Sequence, residues 1–181
     1  MFKNITEDNQ TKYTIKESGK HIFYFENKSG EITFSIESEK AKVFIFGLYQ
    51  GKEKNKFNLK TNQHHKYPNS ESHLLIKTVL DNESQFDYEG KIRIERKAQK
   101  TQASLKNQNL IISDNAKVST LPQLEILPNE VKCSHSATVS DLNKAQLYFL
   151  MSRGVSESDA KNLLIQGFIE EILKVKETKN C

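Results

Sequence analysis

Cys133 and His135 stand two residues apart in the run Val131-Lys-Cys-Ser-His-Ser-Ala-Thr138. The run reads as a strand that follows Pro122-Gln-Leu-Glu-Ile126 and a turn at Pro128-Asn129. In a strand, residues i and i+2 project to the same face, which sets a thiol beside an imidazole. Thiolate sulfur and neutral imidazole nitrogen are both good ligands for iron and for other soft or borderline metals. Two protein ligands leave most coordination positions open, so such a site needs further ligands from a partner chain. The same residues also admit a plain structural role. A buried cysteine packs as a small hydrophobe, and a histidine can bond a backbone carbonyl. Residue types and spacing leave both readings open.

Other chemistry is thinly represented. His64, His65 and His73 lie around Pro68, where solvated loop histidines are the ordinary expectation. No Cys-x-x-Cys, His-Glu-x-x-His or glycine-rich phosphate loop occurs, and the seven glycines are scattered. Autonomous ATP hydrolysis is therefore not expected. A cysteine–histidine hydrolase would place nucleophile and base on one strand with no oxyanion-hole motif nearby. That is a poor arrangement, and the chain is read as a non-enzyme. Arg93, Arg96, Lys97 and Lys100 concentrate positive charge in Lys91–Lys100. They support an alternative reading as a basic β-rich module for nucleic acid or an acidic partner. Arg93 alternates with Ile92 and Ile94, however, which is the pattern of a half-buried strand with a solvated face.

The elements that must position these residues are mostly short strands. Ile32, Phe34 and Ile36 alternate with polar residues, as do Phe57 with Leu59, Phe86 with Tyr88, and Ile92 with Ile94. Val43–Tyr49 and Leu74–Leu80 are denser apolar runs, expected for strands covered on both faces. Turns are expected at Asn27–Gly30, Gly51, Pro68-Asn69, Asp81-Asn82, Glu89-Gly90, Asn107–Asn109, Asp114-Asn115 and Pro128-Asn129. This spacing without intervening helices suits a sandwich, a barrel or a β-solenoid, and periodicity does not choose among them. Helix is expected after Val139, capped by Ser140, running to about Arg153 and ending at Gly154. Ser156 with Asp159 forms the start of a second helix. Ala160, Leu164, Phe168 and Ile172 make its apolar stripe, and Lys174–Cys181 reads as a polar tail. Residual apolar surface at Phe168, Ile169 and Ile172 is expected to receive a partner.

Composition sets outer limits. The 181 residues suffice for one sizeable core, 28% are charged and 36% apolar, and the net charge is +4. No stretch approaches the roughly 18 apolar residues of a membrane helix. No apolar leader segment opens the sequence, and Cys133 and Cys181 are too few for a disulfide framework. A reducing, cytoplasmic setting is the expectation, with Cys181 frayed at the end of the chain.

Several segments in order resemble the SufB/SufD family of the SUF iron–sulfur cluster assembly system. His65 and Pro68 fit its H-x-x-P-x-T segment, with Glu71 in place of Thr. Gly90-Lys-Ile-Arg-Ile94, Ala98-Gln-Lys-Thr-Gln-Ala103 and Asn109-Leu-Ile-Ile-Ser113 follow. Pro122-Gln-Leu-Glu-Ile126, Val131-Lys-Cys-Ser-His135, Ser152-Arg-Gly154 and Ala160–Phe168 complete the series. Ser136 replaces the family's glycine, and Asn107 stands where the SufB branch has a cysteine, so the chain resembles a minimal SufD. The resemblance implies a right-handed parallel β-helix over residues 1–139, matched most strongly from 65, and a two-helix unit over 140–181. It also implies a scaffold that pairs through its β-helix with a SufB-like subunit or with itself. The terminal helices would dock a SufC-like ABC ATPase. Cys133 and His135 would be interface ligands for transient iron or an iron–sulfur cluster, with no tightly bound cofactor and no membrane or nucleic-acid partner.

Overall fold

A computed structural model describes residues 1–177. Eleven strands come first: β1 (Phe2–Asn4), β2 (Lys12–Ile15), β3 (Gly19–Glu26), β4 (Gly30–Ile36), β5 (Ala41–Gly51), β6 (Lys56–His65), β7 (Glu71–Leu80), β8 (Gln85–Ile94), β9 (Thr101–Ile111), β10 (Lys117–Ile126) and β11 (Val131–Asp141). Two helices follow, α1 (Lys144–Ser152) and α2 (Glu157–Glu177). The odd strands form one sheet in the order β1-β3-β5-β7-β9-β11, and the even strands a second, β10-β8-β6-β4-β2. All pairs in both sheets are parallel. Odd and even strands alternate as the two sides of a parallel β-solenoid, so the expected β-helix and its terminal helix pair are both present.

Register shows why no strict repeat is visible in the sequence. Lys42 lies beside Glu71, and Glu71 beside Gln102, so these coils take about 30 residues each. Lys12 lies beside Thr33, and Phe2 beside Ile22, so the first coils are shorter. What recurs is the inward position rather than a residue type. Phe23, Ile45, Leu74 and Leu105 stack through the odd sheet. They meet Phe34, Leu59, Phe86, Tyr88 and Ile92 from the even sheet. The outer face of β5 and β7 is apolar as well, because α2 covers it. Tyr24, Leu48, Leu75, Val79 and Leu110 pack there against Ile169 and Ile172. This accounts for the dense apolar runs at Val43–Tyr49 and Leu74–Leu80.

Turn chemistry follows expectation at Asn27, Asn69 and Asn82, each with φ near +50°, a region asparagine tolerates better than most residues. Two expected turns are instead strand interior. Glu89-Gly90 lies within β8, where a Cβ on Gly90 would come within 2.4 Å of the Tyr88 hydroxyl and of Leu105. That glycine serves a close approach, not a bend. Asn107 and Asn109 lie buried inside β9. Asn109 donates to the Asn107 side chain at 2.7 Å and to the Thr138 carbonyl at 3.0 Å, so their polarity is satisfied inside the solenoid. The helix start also differs, because β11 continues through Ser140 and the α1 cap is Asn143, whose side chain accepts from the Gln146 amide. Gly154 ends α1 at φ +86°, and Ser156 and Asp159 form the reciprocal capping pair. Residues 174–177 continue α2 rather than forming a tail. Cys181 lies outside the described residues.

His65, far from a solvated loop residue, is wholly buried at the end of β6. Its two ring nitrogens contact the Ser70 and Ser72 hydroxyls at 2.7 Å each. Burial first, and the neighbouring His64 second, lower its pKa from 6.5 to about 3. The unfolded chain therefore takes up a proton between those values that the folded chain refuses, and stability falls as pH drops below about 6.5. The loss approaches ~1.4 kcal/mol per pH unit within that window. Urea denaturation at pH 7 and pH 5 should show this fall in the parent and a smaller one in His65→Gln. Equal pH dependence in the two proteins would remove His65 as its source.

Candidate functional site

β11 is the terminal strand of the odd sheet and β10 of the even sheet, so each pairs on one edge only. The register places Cys133 beside Ala103 and His135 beside Leu105. Ala103 and Leu105 are buried inward residues of the coil below. Cys133 and His135 therefore share the inward face of the last coil. Among the described residues no further coil lies over them, and His135 is exposed. The opposite wall of the same end carries Leu124 and Ile126, in register with the buried Ile92 and Ile94, and both are substantially exposed. Leu127 adds exposed apolar surface at the exit of the strand, and Leu121, in register with Glu89, does so on its outer face. The end of the solenoid is thus an apolar rim around a thiol and an imidazole, bordered by two open strand edges.

The two candidate ligands sit in different environments. Cys133 is half-buried against the core, and burial pushes its thiol pKa up. At neutral pH it is a thiol, and a metal ion or another positive centre must arrive to favour the thiolate. His135 is exposed. Ser136, in the position of the family's glycine, continues the extended strand and has no positive φ. Beside Cys133 a depression of about 410 Å³ opens between β9 and β11, lined in part by Ser104, Ser134 and His73. His73 is held there by Ser104 at 2.7 Å and by Glu71 at 2.8 Å. The sequence did not point to Ser104, because only the 31-residue step between neighbouring strands brings it to His73. His64 lies on the other sheet, 2.8 Å from Glu95.

The basic stretch is paired in part. Lys91 meets Glu125 at 2.6 Å, Arg93 meets Glu95 at 3.2 Å and Glu125 at 3.6 Å, and Lys97 lies over the Tyr67 ring. That face carries both signs of charge in register.

The proposed partner-binding residues on α2 are placed differently from expectation. Ile169 and Ile172 are 4% and 0% exposed, packed onto the outer face of the odd sheet, and Phe168 is half-buried beside them. The helix turns its 165–169–172 side to the sheet, because β5 and β7 offer apolar residues on both faces and need covering. The accessible apolar surface is on α1 and the first half of α2: Tyr148 is 64% exposed, Phe149 58% and Leu163 51%. A shallow recess of about 420 Å³ lies there, lined by Ala145, Phe149, Leu150 and Leu164.

The sequence profile described as SUF system FeS cluster assembly, SufBD core domain, matches residues 18–168. The chain belongs to the SufBD family. An iron–sulfur cluster assembly SufBD family protein of Synechocystis is 39% identical over 107 residues, 59% of this chain and 24% of the relative. The iron–sulfur cluster assembly protein SufD of Escherichia coli is 38% identical over 101 residues, 56% of this chain and 24% of that protein. SufD of Plasmodium falciparum is 28% identical over 192 aligned positions, 93% of this chain and 13% of that protein. The chain thus spans about a quarter or less of the length of these relatives. The proteins it matches are named for iron–sulfur cluster assembly.

Because Ile169 is core and Tyr148 is surface, Ile169→Asp should cost on the order of 3 kcal/mol or more, as a buried uncompensated charge does. Tyr148→Asp should leave the urea midpoint near the parent value. The reverse ranking in equilibrium denaturation would show that the helix faces are assigned wrongly.

Proposed function

We propose that this chain is a non-enzymatic scaffold subunit of a SUF-type assembly, with its last coil as the pairing surface. The observation that carries this reading is the uncovered end of the solenoid, where open strand edges flank Cys133 and His135. An exposed strand edge beside an apolar face is a template for another chain, and covering it satisfies both backbone and side chains. The partner is a SufB-like subunit or a second copy of this chain. Its own ligands would complete coordination of the iron or cluster under assembly, which is cargo rather than a resident cofactor. The exposed side of α1, around Tyr148 and Phe149, is the surface for a SufC-like ABC ATPase. The reading as a basic binding module is weakened at Lys91 and Arg93, which pair with carboxylates, and would rest on Arg96, Lys97 and Lys100.

Chemically, the chain contributes one soft and one borderline donor and leaves the remaining positions to the partner. Burial raises the Cys133 thiol pKa, so thiolate ligation is proton-coupled and iron or cluster uptake should weaken as pH falls.

Sedimentation of the chain at micromolar concentration should give a dimer or a complex with a SufB-like subunit, and a compact monomer that captures no partner would overturn the pairing. Within the assembled complex, His135→Ala should reduce cluster formation several-fold. Because His135 is exposed, folding and ATPase binding should stay at parental levels. Cluster maturation at the parental rate would return His135 to a structural role.

A further inference from the structure

Lys77 is the one charged side chain placed in the apolar seam between β7 and α2 among the described residues. It is 7% exposed and sits on the outer face of β7 between Leu75 and Val79. Its Nζ donates to the Phe168 carbonyl at 2.8 Å, pairs with Glu171 at 2.9 Å and lies 5.2 Å from the centre of the Phe168 ring. Burying an ammonium costs desolvation, and an apolar side chain of similar length would serve packing as well or better. The residue therefore calls for a role other than stability.

The apolar face of α2 cannot set its own position. Ile165, Phe168, Ile169, Ile172 and Leu173 recur at steps of three and four, so a shift by one helical turn, about 5.4 Å, again presents apolar residues to the sheet. A backbone carbonyl is also available at every turn. Glu171 and the Phe168 ring are not repeated. One turn away from Glu171 stand Gly167 and Val175, which have no carboxylate, and one turn away from Phe168 stand Leu164 and Ile172, which have no ring. The second ion pair of α2 with the sheet, Lys176 with Glu26, lies near the end of the helix, with the lysine side chain 51% and the glutamate 30% exposed beside the Tyr24 ring, and is more open to solvent than Lys77, 7% exposed.

We infer that Lys77 is a positioning residue that fixes the register of α2 on the odd sheet. The nearest helix contacts of α1 are with α2 rather than with a strand, so the register of α2 also sets where the exposed Tyr148–Phe149 surface stands relative to the solenoid. A single buried polar contact that selects one alignment among near-equivalent apolar ones is a recognised use of such groups. The functional consequence rests on the proposed docking at α1, but the register itself does not.

The test is a distance measurement. Spin labels are placed at exposed positions on α1 (Tyr148→Cys) and on the outer face of β8 (Asp87→Cys), in a Cys133→Ser, Cys181→Ser background, diluted with unlabelled chain. The parent should give one narrow distance by pulsed electron resonance. Lys77→Met should remain folded, with a urea midpoint equal to or above the parent's, yet gain a second distance displaced by up to about 5 Å. Glu171→Gln, at a side chain 61% exposed, should broaden the distribution in the same direction, and Lys77→Arg should restore one distance. One unchanged distance in both Lys77→Met and Glu171→Gln overturns the inference. If Lys77→Met fails to fold, Glu171→Gln alone decides. ATPase binding, measured separately, reports on the docking proposal and not on the register.

Discussion

Each coil of this solenoid is buried by the coil beyond it, and the rest of the molecule depends on that constraint. Parallel ladders give every interior strand a partner on both edges and stack like positions over one another. Phe23, Ile45, Leu74 and Leu105 are core because each is covered along the stack. His135 continues that row and is exposed because the row ends with it. The chemistry of the last coil is therefore a consequence of position. A thiol and an imidazole become accessible on an inward face where the stack stops, and the surface that exposes them also carries open strand edges.

At the other extreme of the design, the odd sheet is buried on its outer face as well, by α2. That second layer explains why β5 and β7 lose the alternation seen in β4 and β8, and why Ile169 and Ile172 belong to the core. It also places a single charge, Lys77, in an otherwise apolar seam. The solenoid and the helix pair thus divide the work. The ladders fix the coil end with Cys133 and His135, and the seam fixes the helices that carry the exposed aromatic surface.

Much of this was legible in the sequence, and the failures have physical causes. Alternation at Ile32–Ile36 and at Ile92–Ile94 marked strands because one face of each meets water. The stacking of those strands into coils was not legible, since register joins residues about 30 apart whose types differ from coil to coil. Only resemblance supplied the solenoid. Gly90, Asn107 and Asn109 carry turn-forming residue types but lie inside strands, because close approach and paired side-chain amides inside a solenoid use the same residues that turns do. The short β1 and β2 left no periodic signal. On α2, a stripe read at steps of four put Ile169 on the open side, whereas a step of three from Ile169 to Ile172 faces the sheet. Cys133 and His135 were correctly placed on one strand face. That the face was inward, and uncovered, depended on β11 being the last strand.

Hydrogen exchange at β10 and β11 tests most directly whether the end coil is completed by another chain. At nanomolar concentration and without a partner, amides on the open edges of these strands should exchange much faster than those of β7 and β9. They should become protected as concentration rises or a SufB-like subunit is added, in step with the appearance of the dimer or complex by mass. Protection of β10 and β11 equal to that of β7 at every concentration, in a chain that stays monomeric, would contradict the account.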